Sequence, residues 1–128
     1  PYPWHFGGQR YQNLFMDPKE ILDFCKKTNM RICHDISHSH LACNTFDWNH
    51  ITYTEQLAPF VAHYHIADGS GTDGEGMQIG QGTVNFREIL EVIKNNSYNS
   101  TFIPEVWQGH KNNGEGFWVS LEQLENKI

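Results

Sequence analysis

Residues 61–68 read Val61-Ala62-His63-Tyr64-His65-Ile66-Ala67-Asp68, and this stretch decides the fold. Pro59 ends the helical pattern before it and a Gly-rich segment follows it, so 61–67 reads as a strand. Side chains alternate across a strand, which puts His63 and His65 on one side. Two further segments have the same character. Met30 to Ile36 is a strand carrying Cys33-His34-Asp35, and Thr101 to Trp107 is a strand carrying Pro104-Glu105-Val106-Trp107. Each strand ends in ionisable groups.

Helical patterns fill the spaces between these strands. Asp17-Pro18-Lys19-Glu20 is a helix start, with Asp17 as cap, Pro18 in the first turn and Glu20 closing a capping box. Ile21, Leu22 and Cys25 line one face of a helix that runs to about Thr28. Ser37 to Asn44 reads as a polar loop, Thr52 to Ala58 as a helix, and Asp68 to Gly82 as a Gly-rich loop. Asn85 caps a helix with Phe86, Ile89, Leu90 and Ile93 at i, i+3, i+4, i+7. Gln108 to Gly116 is a polar loop before a last helix carrying Phe117, Trp118, Leu121, Leu124 and Ile128. The order is loop–α–β–α–β–α–β–α, the order of βα units in which a crossover helix returns the chain to a parallel strand. The class is α/β. Element order alone does not separate an open doubly wound sheet from a barrel. The 128 residues form a single partial domain, with a loop over 1–16 and βα units over 17–128. The opening Pro1-Tyr2-Pro3-Trp4-His5-Phe6-Gly7-Gly8 has neither helical nor strand period and reads as a chain that starts inside a loop.

In a parallel barrel the strand C-termini converge at one mouth, where the site is built. If the sides bearing Cys33 with Asp35, His63 with His65, and Ile103 with Glu105 face the barrel axis, then Asp35, His65 and Glu105 meet there. Two carboxylates and an imidazole suit a divalent ion such as Mn²⁺, Mg²⁺, Co²⁺ or Zn²⁺. A single Asp at a strand end is more often a cap, and a single strand His is more often packed; equivalent positions on three successive strands favour the metal reading. His34 and Tyr64 have the opposite parity and pack under helices. His5, His50 and His110 read as solvated or rim residues. Asp68, Asp73 and Glu75 either bring carboxylates to the mouth or form a solvated loop. Gly69-Ser70-Gly71-Thr72-Asp73-Gly74 matches G-x-G-x-x-G, but no helix follows it directly and its acidic neighbours would repel a pyrophosphate.

Composition narrows the partners. Hydrophobic residues are 38% of the chain, enough for a packed core, and the formal charge of −6 disfavours nucleic acid and anionic membranes. No apolar run is long enough to span a bilayer. The three cysteines form no Cys-x-x-Cys pair, which points to reduced thiols in a cytoplasmic setting and not to nucleophilic catalysis.

At these residues the chain resembles the xylose isomerase-like barrel superfamily of sugar-phosphate isomerases and epimerases. The matching pieces are Asp35-Ile36-Ser37-His38 as D-x-x-H and His63-Tyr64-His65-Ile66-Ala67-Asp68 as H-x-H-x-x-D. Ile79-Gly80-Gln81-Gly82-Thr83-Val84 matches a G-x-G-x-[IV] turn, and Pro104-Glu105-Val106 a late strand glutamate. Residues 1–8 and 107–117 look like a subgroup found fused to sialic-acid-synthase-like proteins. The resemblance implies the C-terminal half of a (β/α)₈ TIM barrel. It implies Asp35 and His65 as metal ligands, Glu105 as ligand and catalytic acid/base, and His38 as a substrate contact, or a second-metal ligand in an endonuclease branch. Glu75 and the aromatic walls Trp4, Phe6 and Trp107 complete the expected substrate site. The partner glutamate of such enzymes lies on the preceding strand, ahead of Pro1, so this chain alone is expected to be inactive. The expected activity is metal-dependent sugar or sugar-phosphate isomerisation or epimerisation through an enediolate. The alternatives are a non-catalytic half-barrel or accessory sugar-binding domain of a larger synthase, and an abasic-site-endonuclease-like metallohydrolase. Exposed strand edges predict a homodimer.

Overall fold

The computed structural model describes residues 15–96 and 99–127. Its elements run α1 (Pro18–Thr28), β1 (Ile32–Asp35), α2 (Ile36–Phe46), α3 (His50–Leu57), a 3₁₀ turn (Ala58–Phe60), β2 (Val61–Ile66), β3 (Asp68–Ser70), β4 (Gly74–Met77), α4 (Phe86–Asn96), β5 (Thr101–Pro104) and α5 (Lys111–Glu125). β1, β2 and β5 form a parallel sheet in that order. The register places Asp35 beside His65 and His65 beside Ile103. Parallel strands alternate with helices, as expected for a segment of a (β/α) barrel wall.

Local chemistry explains the element ends. Asp17 accepts a 2.8 Å hydrogen bond from the Lys19 N–H and Pro18 opens α1, while Asn29 ends it in the left-handed region. Ile21 and Cys25 are buried on the inner face of α1. Along α4, Phe86, Ile89 and Val92 are buried, and Leu90 and Ile93 pack against the same core. The core lies between the helices and the outer face of the sheet, where Val61, Tyr64 and Ile66 meet Ile36, Leu57 and Ile89. His34 is buried on that face between Tyr53 and Tyr64. The opposite face of the sheet is open among the described residues, with Cys33 and Ile103 exposed.

Three segments differ from their sequence reading. Ser37–Asn44 is not a loop but most of α2. Asp35 caps this helix through the His38 N–H at 2.9 Å. Its polar residues Ser37, Ser39 and His40 are buried and hydrogen-bonded, so no apolar stripe marks the helix in the sequence. Within 68–82, β3 and β4 form a short antiparallel hairpin pairing Asp68 with Met77 and Ser70 with Gly74. Its glycines supply no side-chain alternation to read. The last helix begins earlier than Phe117 but is broken by left-handed residues at Asn112, Asn113 and Gly114.

Candidate metal centre

The last residue of β1 is Asp35, His65 stands one residue before the end of β2, and Glu105 directly follows β5. The parallel register brings all three to the same end of the sheet. One ligand atom from each lies within 4.8 Å of the others. The His65 Nδ1 is 2.6 Å from the Glu105 carboxylate and 4.0 Å from the Asp35 carboxylate. The Glu105 N–H donates to the Ile66 carbonyl at 2.9 Å, which continues the β2–β5 pairing as far as the glutamate. Asp35 divides its two oxygens. Oδ1 caps α2, and Oδ2 faces His65 and accepts from the His38 ring at 2.9 Å. The cap reading and the site reading of Asp35 therefore hold together.

The donor set fits a divalent cation. Atoms sharing one ion at bonds of about 2.1 Å stand about 3–4 Å apart, and the observed 2.6 and 4.0 Å separations bracket that range. The side chains are only partly exposed at Asp35 (20%) and His65 (32%), while Glu105 (54%) faces the open cleft. Together Asp35, His65 and Glu105 form a group able to hold a metal ion.

A cleft of about 370 Å³ adjoins them, lined by His38, Glu75, Gly76, Glu105 and Trp107 among others. The His38 Nε2 lies 2.7 Å from the Glu75 carboxylate, so both ring nitrogens of His38 face carboxylate oxygens. Burial works against the charged form of His38, but the Asp35 and Glu75 carboxylates outweigh it and hold the imidazole above its ordinary range. Burial likewise raises Asp35, yet the hydrogen bonds and charge of His38, with His65, bring it below the usual carboxylate range. The Trp107 side chain is exposed (69% for the residue), and its backbone N–H donates to the Gly76 carbonyl at 2.7 Å. Gly76 has φ +63, and a Cβ there would overlap the Trp107 indole, so glycine alone fits.

Other expectations change. Asp68 is neither solvated nor at the mouth. It is 1% exposed and accepts from the N–H groups of Gly69, Gly80 and Val84 at 2.9, 2.8 and 3.1 Å. This makes Asp68 the internal anchor of the Gly80–Val84 turn. His50 is not solvated either. It hydrogen-bonds Ser39 at 2.9 Å, and burial, with His34 and His40, pushes it down to about 3. The cysteines are free, and burial pushes Cys43 up to about 12 and also raises Cys25 and Cys33, which suits no nucleophile. Trp4 and Phe6 lie outside the described residues. Two residues with site roles had no sequence reading of their own. The Ser37 hydroxyl donates to the Asp68 carbonyl and accepts from the Gly76 N–H, both at 3.0 Å, and Gly76 seats Trp107. The Gly74-Glu75-Gly76 spacing was the available signal for the second.

Among the described residues no helix is long and apolar enough to cross a membrane. An uncharacterized protein of Methanocaldococcus jannaschii is 31% identical over 88 residues, which cover 66% of this chain and 29% of that protein. The crystal structure of a D-tagatose 3-epimerase-like protein superposes with a TM-score of 0.64 at 26% identity, covering 93% of this chain and 46% of that one. The chain thus spans less than half the length of either relative. The family model for xylose isomerase-like TIM barrels matches residues 1–126. The chain belongs to the xylose isomerase-like TIM barrel family.

Proposed function

We propose that this barrel segment belongs to a divalent-metal-dependent isomerase or epimerase acting on a sugar or sugar phosphate. The observation that carries the reading is the convergence of Asp35, His65 and Glu105 at the C-terminal ends of three adjacent parallel strands, beside a polar cleft. The D-tagatose 3-epimerase-like neighbour supports the same reaction class. A bound Mn²⁺, Mg²⁺, Co²⁺ or Zn²⁺ would polarise a sugar carbonyl and offset the charge that develops on its oxygen. Glu105, the most exposed of the three, takes the proton from the carbon α to that carbonyl. Return of the proton by Glu105 to the neighbouring carbon isomerises the sugar, whereas epimerisation needs a second acid on the opposite face to deliver a proton there. His38 and Glu75 line the cleft beside the ion site as a polar pair, and Trp107 offers an apolar wall for the sugar ring or chain.

The test replaces Glu105 with Gln in a protein carrying the whole barrel and follows deuterium exchange at the α-carbon. A panel of aldoses, ketoses and their phosphates is used with each metal. Loss of a positioned acid/base slows exchange by roughly 10²–10⁴-fold. Undiminished exchange removes Glu105 from the assigned role. A second reading, a non-catalytic half-barrel that binds a sugar or a partner, is favoured by the open inner face around Cys33 and Ile103. Ion binding with no proton exchange in any sugar would select it. The formal charge of −6 speaks against an endonuclease, which needs a basic surface.

A further inference from the structure

Glu75 and His38 form a second polar pair at the mouth, behind the Asp35 carboxylate. His38 bridges Asp35 Oδ2 at 2.9 Å and Glu75 Oε2 at 2.7 Å. The oxygen it holds is the one that faces His65. His38 is therefore an outer partner of a carboxylate in the candidate ligand set, and Glu75 is the partner of that partner. Such outer groups fix the orientation of the ligand atom and its share of charge.

The backbone beneath Glu75 is fastened on both sides. The Gly76 N–H donates to Ser37 Oγ at 3.0 Å, and Ser37 also donates to the Asp68 carbonyl. The Gly76 carbonyl accepts from the Trp107 N–H. Ser37 belongs to α2, one residue before His38, so the segment carrying Glu75 and the helix carrying His38 are joined next to the pair itself. Glu75 is 25% exposed at its side chain and His38 31%, which limits how far water loosens their contact. This geometry suits a fixed stop for the imidazole better than a free arm reaching for a ligand.

We propose that Glu75 is a positioning residue that sets the affinity and geometry of the metal centre through His38 and Asp35, without touching the ion. The inference rests on the metal reading of Asp35, His65 and Glu105. It adds a residue from the β3–β4 hairpin, far in sequence from Asp35, to the control of that centre.

The test measures Mn²⁺ affinity by calorimetry and the visible spectrum of the Co²⁺ form. It uses the wild type, Glu75→Ala, Glu75→Gln, His38→Ala and the double variant His38→Ala/Glu75→Ala, all in the whole-barrel protein. Thermal unfolding of the metal-free variants checks that each still folds. Glu75→Ala weakens Mn²⁺ binding by about 10-fold or more and alters the Co²⁺ spectrum. Glu75→Gln, whose amide oxygen still accepts from the ring, recovers part of both. In the His38→Ala background the removal of Glu75 has no further effect. An equal effect in both backgrounds overturns the proposal, because Glu75 then acts on the ion directly. Unchanged binding and spectrum in Glu75→Ala overturn it as well, with the centre itself intact. A wild type that binds neither ion overturns the metal reading and this inference with it.

Discussion

Asp68 shows how one side chain can hold a loop that the site depends on. Its carboxylate is nearly sealed from water and collects three backbone N–H groups, from Gly69, Gly80 and Val84. Charge-assisted bonds of this kind are stronger than neutral ones, and a buried N–H left without an acceptor is costly. Replacing Asp68 with Ala strands these donors and is expected to cost about 3 kcal/mol, at roughly 1 kcal/mol or more for each lost partner. Urea unfolding of the two proteins measures this, and a loss below 1 kcal/mol would mean that water replaces the carboxylate. The H-x-H-x-x-D pattern made Asp68 visible in the sequence, but not its task. A carboxylate three residues beyond the candidate ligand His65, past the end of β2, carries no mark in the sequence of pointing into a glycine turn instead of the mouth. Asp35, His65 and Glu105 were legible because strand parity is a local rule and the three strands share it.

At the scale of elements, α2 and α3 pack polar surface where helices usually pack apolar surface. His50 at the start of α3 bonds Ser39 of α2, and His40 of α2 bonds Thr83 at 2.9 Å. His34 on β1 is buried beside Tyr53, with both ring nitrogens unpartnered among the described residues. Burial pushes His34 down to about 4, with Asp35 opposing, and His50 down to about 3. Both folded-state values lie below the unfolded value of about 6.5. The unfolded chain therefore takes up protons that the folded chain refuses once the pH drops under about 6.5. Stability is full above that point and falls from about pH 6.5 down to about 4 for His34 and about 3 for His50, by up to roughly 1.4 kcal/mol per pH unit for each histidine. His38 is raised and works in another window: its contribution is complete below about pH 6.5 and fades as the pH rises through its folded value. Denaturant titrations at pH 7, 6, 5 and 4 read the acid slope, and His50→Gln should flatten it. A slope equal in both proteins would take His50 out of the account. The same buried polarity is why the sequence reading turned α2 into a loop. Helix periodicity is a pattern of apolar residues, and Ser37, Ser39 and His40 are buried through hydrogen bonds.

At the scale of the molecule, the three-stranded sheet has one finished face and one open one. Among the described residues β1 and β5 each pair with β2 alone, and Phe102 and Ile103 of β5 are 46% and 45% exposed on opposite sides of the strand. Parallel strands are normally covered on both faces, and unpaired edges recruit other strands. The 128-residue chain by itself is therefore expected to self-associate. Sedimentation velocity across a concentration series tests this, and a monomer that persists at high concentration would contradict it. The relatives give the same picture of proportion, since the chain accounts for 46% of the epimerase-like structure it matches.

What the sequence by itself determined were the properties carried by short range: the α/β order, the caps of α1 and α4, and the side of each strand on which Asp35, His65 and Glu105 lie. These follow from periodicity and capping, which act within a few residues. The tertiary structure alone decided that the parallel register sets the three groups within 4.8 Å, and that Glu75 returns from a hairpin to meet His38. It also decided that Asp68 turns inward to hold a loop. Each of these joins residues far apart in the chain, and such contacts exist only once packing has fixed where separate elements stand.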